Sequence, residues 1–205
     1  MCTIRGLSGN PELIPPGATA VGSVEELAAM VEIIFSTVVA AVAIKAAQDV
    51  ARYLGPSHFY VDLNSVSPAT KQLIGDAITA SGALFVEGGI MTNVAKERHR
   101  VPIFACGPGS GRLSSFANAR LGMQIEDLGE RLGQASAAKM FRSILVKGLE
   151  ALFLECFAAS GRFGVEDRVL EMVQLGYPGP DWRQWARSFI GRTARSRRKT
   201  CGRDD

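Results

Sequence analysis

Hydrophobic and polar positions follow two regimes along the chain. From about residue 18 to residue 131, short apolar runs alternate with polar, periodic segments, and tight turns separate them. The runs are apolar at odd and even positions alike, as expected of strands in a parallel sheet with helices on both faces. They predict strands over 18–21, 32–38, 58–63, 84–87, 101–106 and 124–128. Between them, Ser23 with Glu26 forms a capping box that opens a short helix to about Met30. A second helix is predicted over 40–54, closed by Gly55-Pro56, and a third to about Ser81, with Ser67 as cap and Pro68 at its first position. The opening residues 1–17, rich in Gly and Pro, read as loop.

Past residue 131 the period changes. Ala138, Phe141, Leu145, Leu149, Leu152, Cys156 and Phe157 recur at helical spacing within 135–161, and Met140, Ile144, Leu154 and Ala158 make the opposite side apolar too. A helix apolar nearly all round is expected to be buried, as the central helix of a helical domain. Shorter helices follow over 165–174 and 181–190, the last held by Trp182 and Trp185. The predicted organisation is an α/β domain over 1–131 and a helical domain over 132–205, with a basic, solvated tail from about 191.

Composition narrows the function classes. With 47% apolar and 21% charged residues, the chain is globular, and a net charge of +3 is too small to demand a polyanion, so no nucleic-acid partner is expected. The four cysteines lie far apart and only two histidines are present, which leaves no metal-ligand spacing. Cys106 and Cys156 stand in apolar runs and are expected to be buried thiols of a reducing compartment. The apolar stretch 30–47 is interrupted by Glu32 and Lys45, so it reads as strand plus helix and no membrane partner is expected. Residues 1–17 hold no apolar leader core, and the expected location is cytoplasmic.

Candidate chemistry concentrates in two places. In YVDLNSVSPATK (60–71), a strand ends in Asp62, Asn64, Ser65, Ser67 and Pro68 before a helix begins. The carboxyl end of a strand in an open α/β sheet, followed by a helix N-terminus, is where such sheets bind ligands. Ser67 and Pro68 start the helix, which leaves Asn64 and Ser65 as ligand candidates. The second place is the long helix, where Lys139, Ser143 and Lys147 make a polar stripe on an apolar rod. The segment AKERHR (95–100) reads as a solvated loop.

These segments resemble, in order, the motifs of the β-hydroxyacid dehydrogenases, relatives of 6-phosphogluconate dehydrogenase. DLNSVSPAT is similar to D-x-S-T-x-x-P, and FSTVVA (35–40) to the strand and loop that pass the nicotinamide. GALFVEGGIM resembles G-A-x-F-x-D-A-P-V-S-G-G, VPIFACGP the next strand and its turn, and GQASAAKMFRS the G-x-G-x-x-x-K-x-x-x-N motif. The resemblance implies a partial Rossmann-type sheet lacking its first strands, then an all-α domain for substrate binding and dimerisation. It implies Lys139 as catalytic acid/base, Ser36, Thr37, Val38, Asn64 and Ser65 as cofactor-binding, and Met91, Thr92, Asn93 and Ser143 as substrate-binding. The implied reaction is oxidation of a small hydroxyacid, phosphorylated or free, with NADP or NAD, in a homo-oligomer. Met91, Thr92, Asn93 and Ser143 depart from the family residues at their positions. No G-x-G-x-x-G between strand and helix precedes these motifs, so the chain reads as truncated at its amino terminus, with cofactor binding weak or lost. The alternative is a non-catalytic remnant acting as an interaction or dimerisation module.

Overall fold

The computed structural model describes the backbone of residues 2–4, 14 and 16–200 and the side chains of 14 and 16–191. It divides into two compact units, Met1–Met140 and Phe141–Asp205.

The first unit is built on a sheet of five strands in the order β3-β4-β5-β6-β7. These are β3 (Ile33–Ser36), β4 (Phe59–Asp62), β5 (Leu84–Ile90), β6 (Pro102–Cys106) and β7 (Gln124–Asp127). A separate parallel pair joins β1 (Cys2–Ile4) to β2 (Ala18–Ala20), so strand structure appears where loop was expected. The helices of this unit are α1 (Val24–Met30), α2 (Ala43–Ala51), α3 (Pro68–Thr79), α4 (Val94–Glu97) and α5 (Ser110–Leu121). The first turns of α6 (Gln134–Ser160) also belong to it.

Side chains alternate across each strand. Ile34, Tyr60 and Phe85 therefore face one way, onto Ala43, Ala47 and Val50 of α2 and Ile74 and Ile78 of α3. Val61, Val86, Ile103 and Ile125 face the other way, onto Leu113 and Ala117 of α5. Both faces are covered, which explains why these strands read as unbroken apolar runs.

The sheet is not wholly parallel, because β6 runs antiparallel to β5, with Glu87 opposite Cys106. A parallel neighbour needs a crossover of a dozen or more residues, usually with a packed helix. Only residues 91–101 join β5 to β6, and they hold α4 and one 3₁₀ turn, so the chain doubles back. The expected basic loop 95–100 is this α4 and turn segment, exposed throughout.

In the second unit α6 is followed by α7 (Glu166–Gly176) and α8 (Trp182–Thr200). Phe153 stacks on Trp182 at 5.9 Å and lies 5.3 Å from Phe189, so the two ends of this unit meet through aromatic rings. Arg183 pairs with Asp167 and ties α8 to α7. The basic tail differs from expectation, since α8 continues through it to Thr200; residues 201–205 lie outside the described residues.

Against expectation, the long helix is not buried all round: Phe141, Ile144, Leu145 and Leu152 are each more than 60% exposed. The aromatic cluster of this unit meets α6 at Phe153 and Phe157, which leaves those residues uncovered. Cys156, on the same helix, is exposed, whereas Cys106 in β6 is buried, where burial pushes its thiol up. Among the described residues no helix is long and apolar enough to cross a membrane, and no cluster of His, Cys, Asp or Glu could hold a metal ion.

Candidate functional site

Strands β3, β4 and β5 run parallel, so their carboxyl ends share one edge. Ser36 ends β3 and is buried; its Oγ accepts from Asn64 Nδ2 at 3.0 Å. Asp62 ends β4 and is fully buried, and its Oδ1 accepts from Asn64 N at 2.7 Å, which folds the chain back over the strand end. The helix cap is supplied by Ser67, whose Oγ accepts from Thr70 N at 3.1 Å. Asn64 and Ser65 are therefore left over from capping, as the sequence implied. Asn64 Oδ1 and Asp62 Oδ2 are both buried without a hydrogen-bond partner. An unpartnered buried oxygen is costly and marks a place where a ligand or water completes the structure.

Lys139 approaches this edge from the start of α6. Its Nζ donates to the Oγ of exposed Ser65 at 2.7 Å. Two features of β5 bring it there. A Cβ on Gly89 would lie 2.9 Å from Ala135 O and 3.6 Å from Lys139 Cβ, so only glycine lets α6 pass this close to the strand. Buried Glu87 then fixes the helix end: its Oε2 accepts from Gly133 N at 2.6 Å and its Oε1 from Ser136 N at 2.7 Å. A carboxylate on the free amides of a helix N-terminus is charge-assisted at both contacts.

Lys71 of α3 reaches the same edge. It is 1% exposed, and its Nζ donates to Asp62 O at 2.7 Å and Gly88 O at 3.3 Å, with Asp62 Oδ1 at 3.2 Å. Burial holds its amine below the ordinary lysine range against the pull of Asp62. Lys139 is half-buried; burial first, and then the Lys71 cation, lower its amine as well. A lysine so placed can take up or release a proton nearer neutrality than a free one.

The other predicted site residues are placed as follows. Thr37 and Val38 are exposed in the loop after β3. Met91 is buried, with its N bonded to Pro102 O at 2.9 Å. Thr92 is exposed, and the Asn93 side chain caps α4 by accepting from Ala95 N at 2.9 Å. The hydrogen bonds of this segment thus run to Pro102 and Ala95, not to Lys139. Ser143 belongs to the second unit and is half-buried there.

Lys71 and Glu87 were missed, yet both left a signal. Lys71 stands on the apolar stripe of α3 with Ile74, Gly75 and Ile78, and Glu87 interrupts the apolar run of β5. A charge on a buried face requires a partner.

Two other features do not form part of this site. A cleft of about 500 Å³ lined by Glu25, Met30, Glu32, Tyr53 and His58 lies by the amino ends of β3 and β4. His58 there is structural: Nδ1 accepts from Gly55 N at 3.0 Å, so Nε2 carries the proton toward Ala28 O at 3.1 Å. The turn Gly107-Pro108-Gly109 joins β6 to α5, and a Cβ on Gly109 would lie 3.0 Å from Val86 and 3.1 Å from Leu84, so this glycine serves close packing against the sheet.

A nicotinamide cofactor is tested by the same observations. The unpartnered Asn64 Oδ1, with Ser36 and Ser65, fits the polar groups of its nicotinamide half. Among the described residues no glycine-rich strand–turn–helix faces this edge to hold a pyrophosphate.

No family model matches the chain. A conserved hypothetical protein from Sinorhizobium meliloti 1021 is 38% identical with a TM-score of 0.77, covering 86% of this chain and 58% of that one. The conserved protein MTH1747, of unknown function and with reported structural similarity to 3-hydroxyacid dehydrogenases, is 32% identical with a TM-score of 0.77. That match covers 89% of this chain and 67% of MTH1747. An uncharacterized 28.5 kDa protein of Methanothermus fervidus is 32% identical over 139 residues, 67% of this chain. The chain spans 53% of the Methanothermus protein's length. At 22% identity, the fold recurs in an imine reductase from Myxococcus stipitatus solved with NAD+, with a TM-score of 0.66 over 78% of this chain and 56% of that one.

Proposed function

The chain belongs to the 3-hydroxyacid dehydrogenase-like family, and on that premise we propose that its site oxidises a small hydroxyacid with Lys139 as the acid/base. Its fold is an oxidoreductase fold, and solved neighbours carry NAD+ or NADP+. The observation that carries the reading is the Lys139 amine, lowered by burial and by Lys71, 2.7 Å from Ser65 Oγ at the carboxyl end of the parallel strands.

A bound nicotinamide supplies the hydride acceptor. Ser36, Thr37, Val38, Asn64 and Ser65 would hold its nicotinamide half. Lys139 in its neutral form takes the proton of the substrate hydroxyl as the carbonyl forms, and returns it to water afterwards. Ser65 orients the amine. Met91, Thr92 and Asn93 of the first unit are assigned to the substrate, with Asn93 contributing backbone because its side chain caps α4, and Ser143 of the second unit is assigned to it as well. The test is a panel of 2- and 3-hydroxyacids, free and phosphorylated, with NAD and NADP at millimolar concentration. Reduced nicotinamide appearing with one substrate class supports the reading; none across the panel contradicts it.

A second reading has its own observation. Phe141, Leu145 and Leu152 form an exposed apolar stripe in the second unit, at 64%, 64% and 63% exposure. Such a stripe favours association through α6, and the unit then acts as a dimerisation module with or without catalysis. Sedimentation at micromolar concentration is expected to give a dimer or larger, and Leu145→Glu to shift it toward monomer. A compact 21.9 kDa monomer for the unaltered chain contradicts this.

A further inference from the structure

Burying a lysine costs several kcal/mol unless it is paired and hydrogen-bonded. Lys71 meets that condition on α3, and it does so beside the one lysine assigned to proton transfer. Its Nζ bridges two neighbouring strands, through Asp62 O at 2.7 Å at the end of β4 and Gly88 O at 3.3 Å within β5. Asp62 Oδ1 at 3.2 Å completes its contacts, so the cation is fixed in place. The residue after Gly88 is Gly89, the contact point for Lys139 on α6. The residues after Asp62 lead to Ser65, the partner of the Lys139 amine. The Lys139 hydrogen bond and its close approach to β5 therefore hang from the two carbonyl-bearing segments that Lys71 clamps.

We infer that Lys71 is a positioning residue for Lys139: a fixed internal cation that holds the edge on which Lys139 rests and opposes a second positive charge there. The inference rests on the reading of Lys139 as the proton-transfer group. The buried carboxylates on β4 and β5 are already engaged. Asp62 is paired with Lys71, and both oxygens of Glu87 on β5 hold α6 amides. Cys106 on β6 is a buried thiol whose ionisation is pushed up, so it stays neutral. Lys71 acts on Lys139 in the direction that lowers its amine, in concert with burial. A purely structural clamp would need donors but no charge.

The test titrates Lys139 directly in the full 205-residue chain, by pH-dependent acylation read at Lys139 by mass spectrometry. In the unaltered chain the labelling midpoint is expected below that of an ordinary lysine. Lys71→Met is expected to shift it upward, with loss of Lys139 labelling at neutral pH, and Lys71→Arg to keep it low. An unaltered chain whose Lys139 midpoint equals that of a free lysine overturns the inference, whether or not Lys71→Met folds. So does a folded Lys71→Met with an unshifted midpoint. The titration needs neither substrate nor cofactor. A failed turnover screen beside a lowered Lys139 midpoint that Lys71→Met raises counts against the dehydrogenase reading alone, and turnover in the panel beside a low midpoint that Lys71→Met leaves unshifted counts against the Lys71 inference alone.

Discussion

Replacing Glu87 with glutamine changes one atom and should loosen the helix that carries Lys139. Glu87 is fully buried, and its two oxygens accept from Gly133 N at 2.6 Å and Ser136 N at 2.7 Å. Each hydrogen bond to a charged group contributes roughly 1.5–3 kcal/mol, against about 0.5–1.5 for a neutral one. In Glu87→Gln one amide faces a neutral carbonyl, and the other faces an NH₂ group, donor against donor. The lost interaction with the helix N-terminus adds up to about 2 kcal/mol in buried geometry. A loss of about 2–4 kcal/mol is expected for the first unit, a large share of the roughly 5–15 kcal/mol of a typical domain. Urea unfolding measures the total, and hydrogen exchange at the Gly133 and Ser136 amides localises it. Ser136→Ala keeps both backbone amides and should cost little, since its Oγ makes only a long contact of 3.3 Å to Gly133 O. A loss below about 1 kcal/mol in Glu87→Gln, with those amides still protected, would refute the claim that this carboxylate anchors α6.

Two further outcomes are expected. Burial, with Asp62 adding to it against the Ser36 hydrogen bond, pushes the Tyr60 hydroxyl from 10.0 up to about 12. Between those values the unfolded chain gives up the proton and the folded one keeps it, so stability falls as pH rises, by at most about 3 kcal/mol. Lys71 and Lys139 act in the opposite sense, adding stability as pH climbs toward the ordinary lysine value, and denaturation of Tyr60→Phe isolates the tyrosine: its alkaline loss should vanish, and an unchanged alkaline limb contradicts the assignment. On cofactors, NAD, NADP and nicotinamide mononucleotide are expected to bind this chain weakly and about equally. Each charge-assisted bond to the pyrophosphate that the described residues do not supply forgoes roughly 1.5–3 kcal/mol, and calorimetry giving a micromolar Kd for either dinucleotide contradicts the expectation.

Much of the first unit was legible because its strands are buried on both faces, and a run such as 84–90 cannot be hidden in any other way. Helix α5 was not legible. Its packed face includes Ser110 and Ser114, which bond to Asp127 and Gly111, so serines stand where the eye looks for leucines. The reversal of β6 was equally silent, since strand direction depends on what the short connection can reach. For α6 the sequence was misleading: an all-round apolar pattern says that burial would be favourable, not that the chain itself supplies the cover. At the site, Asn64 and Ser65 stand out in the sequence because the turn holds more polar groups than one cap requires. Lys71 and Glu87 were passed over because each was read inside a motif, when its position on a buried face was the stronger signal.

The most direct test of the central claim is the turnover of Lys139→Ala beside the unaltered chain, at the highest soluble cofactor concentration and with the best hydroxyacid of the panel. Proton transfer by a positioned group contributes typically about 10²–10⁴-fold, so turnover should fall by that factor while cofactor affinity stays the same. Near-normal turnover in Lys139→Ala would contradict the account, because the amine at 2.7 Å from Ser65 Oγ would then have no part in the chemistry.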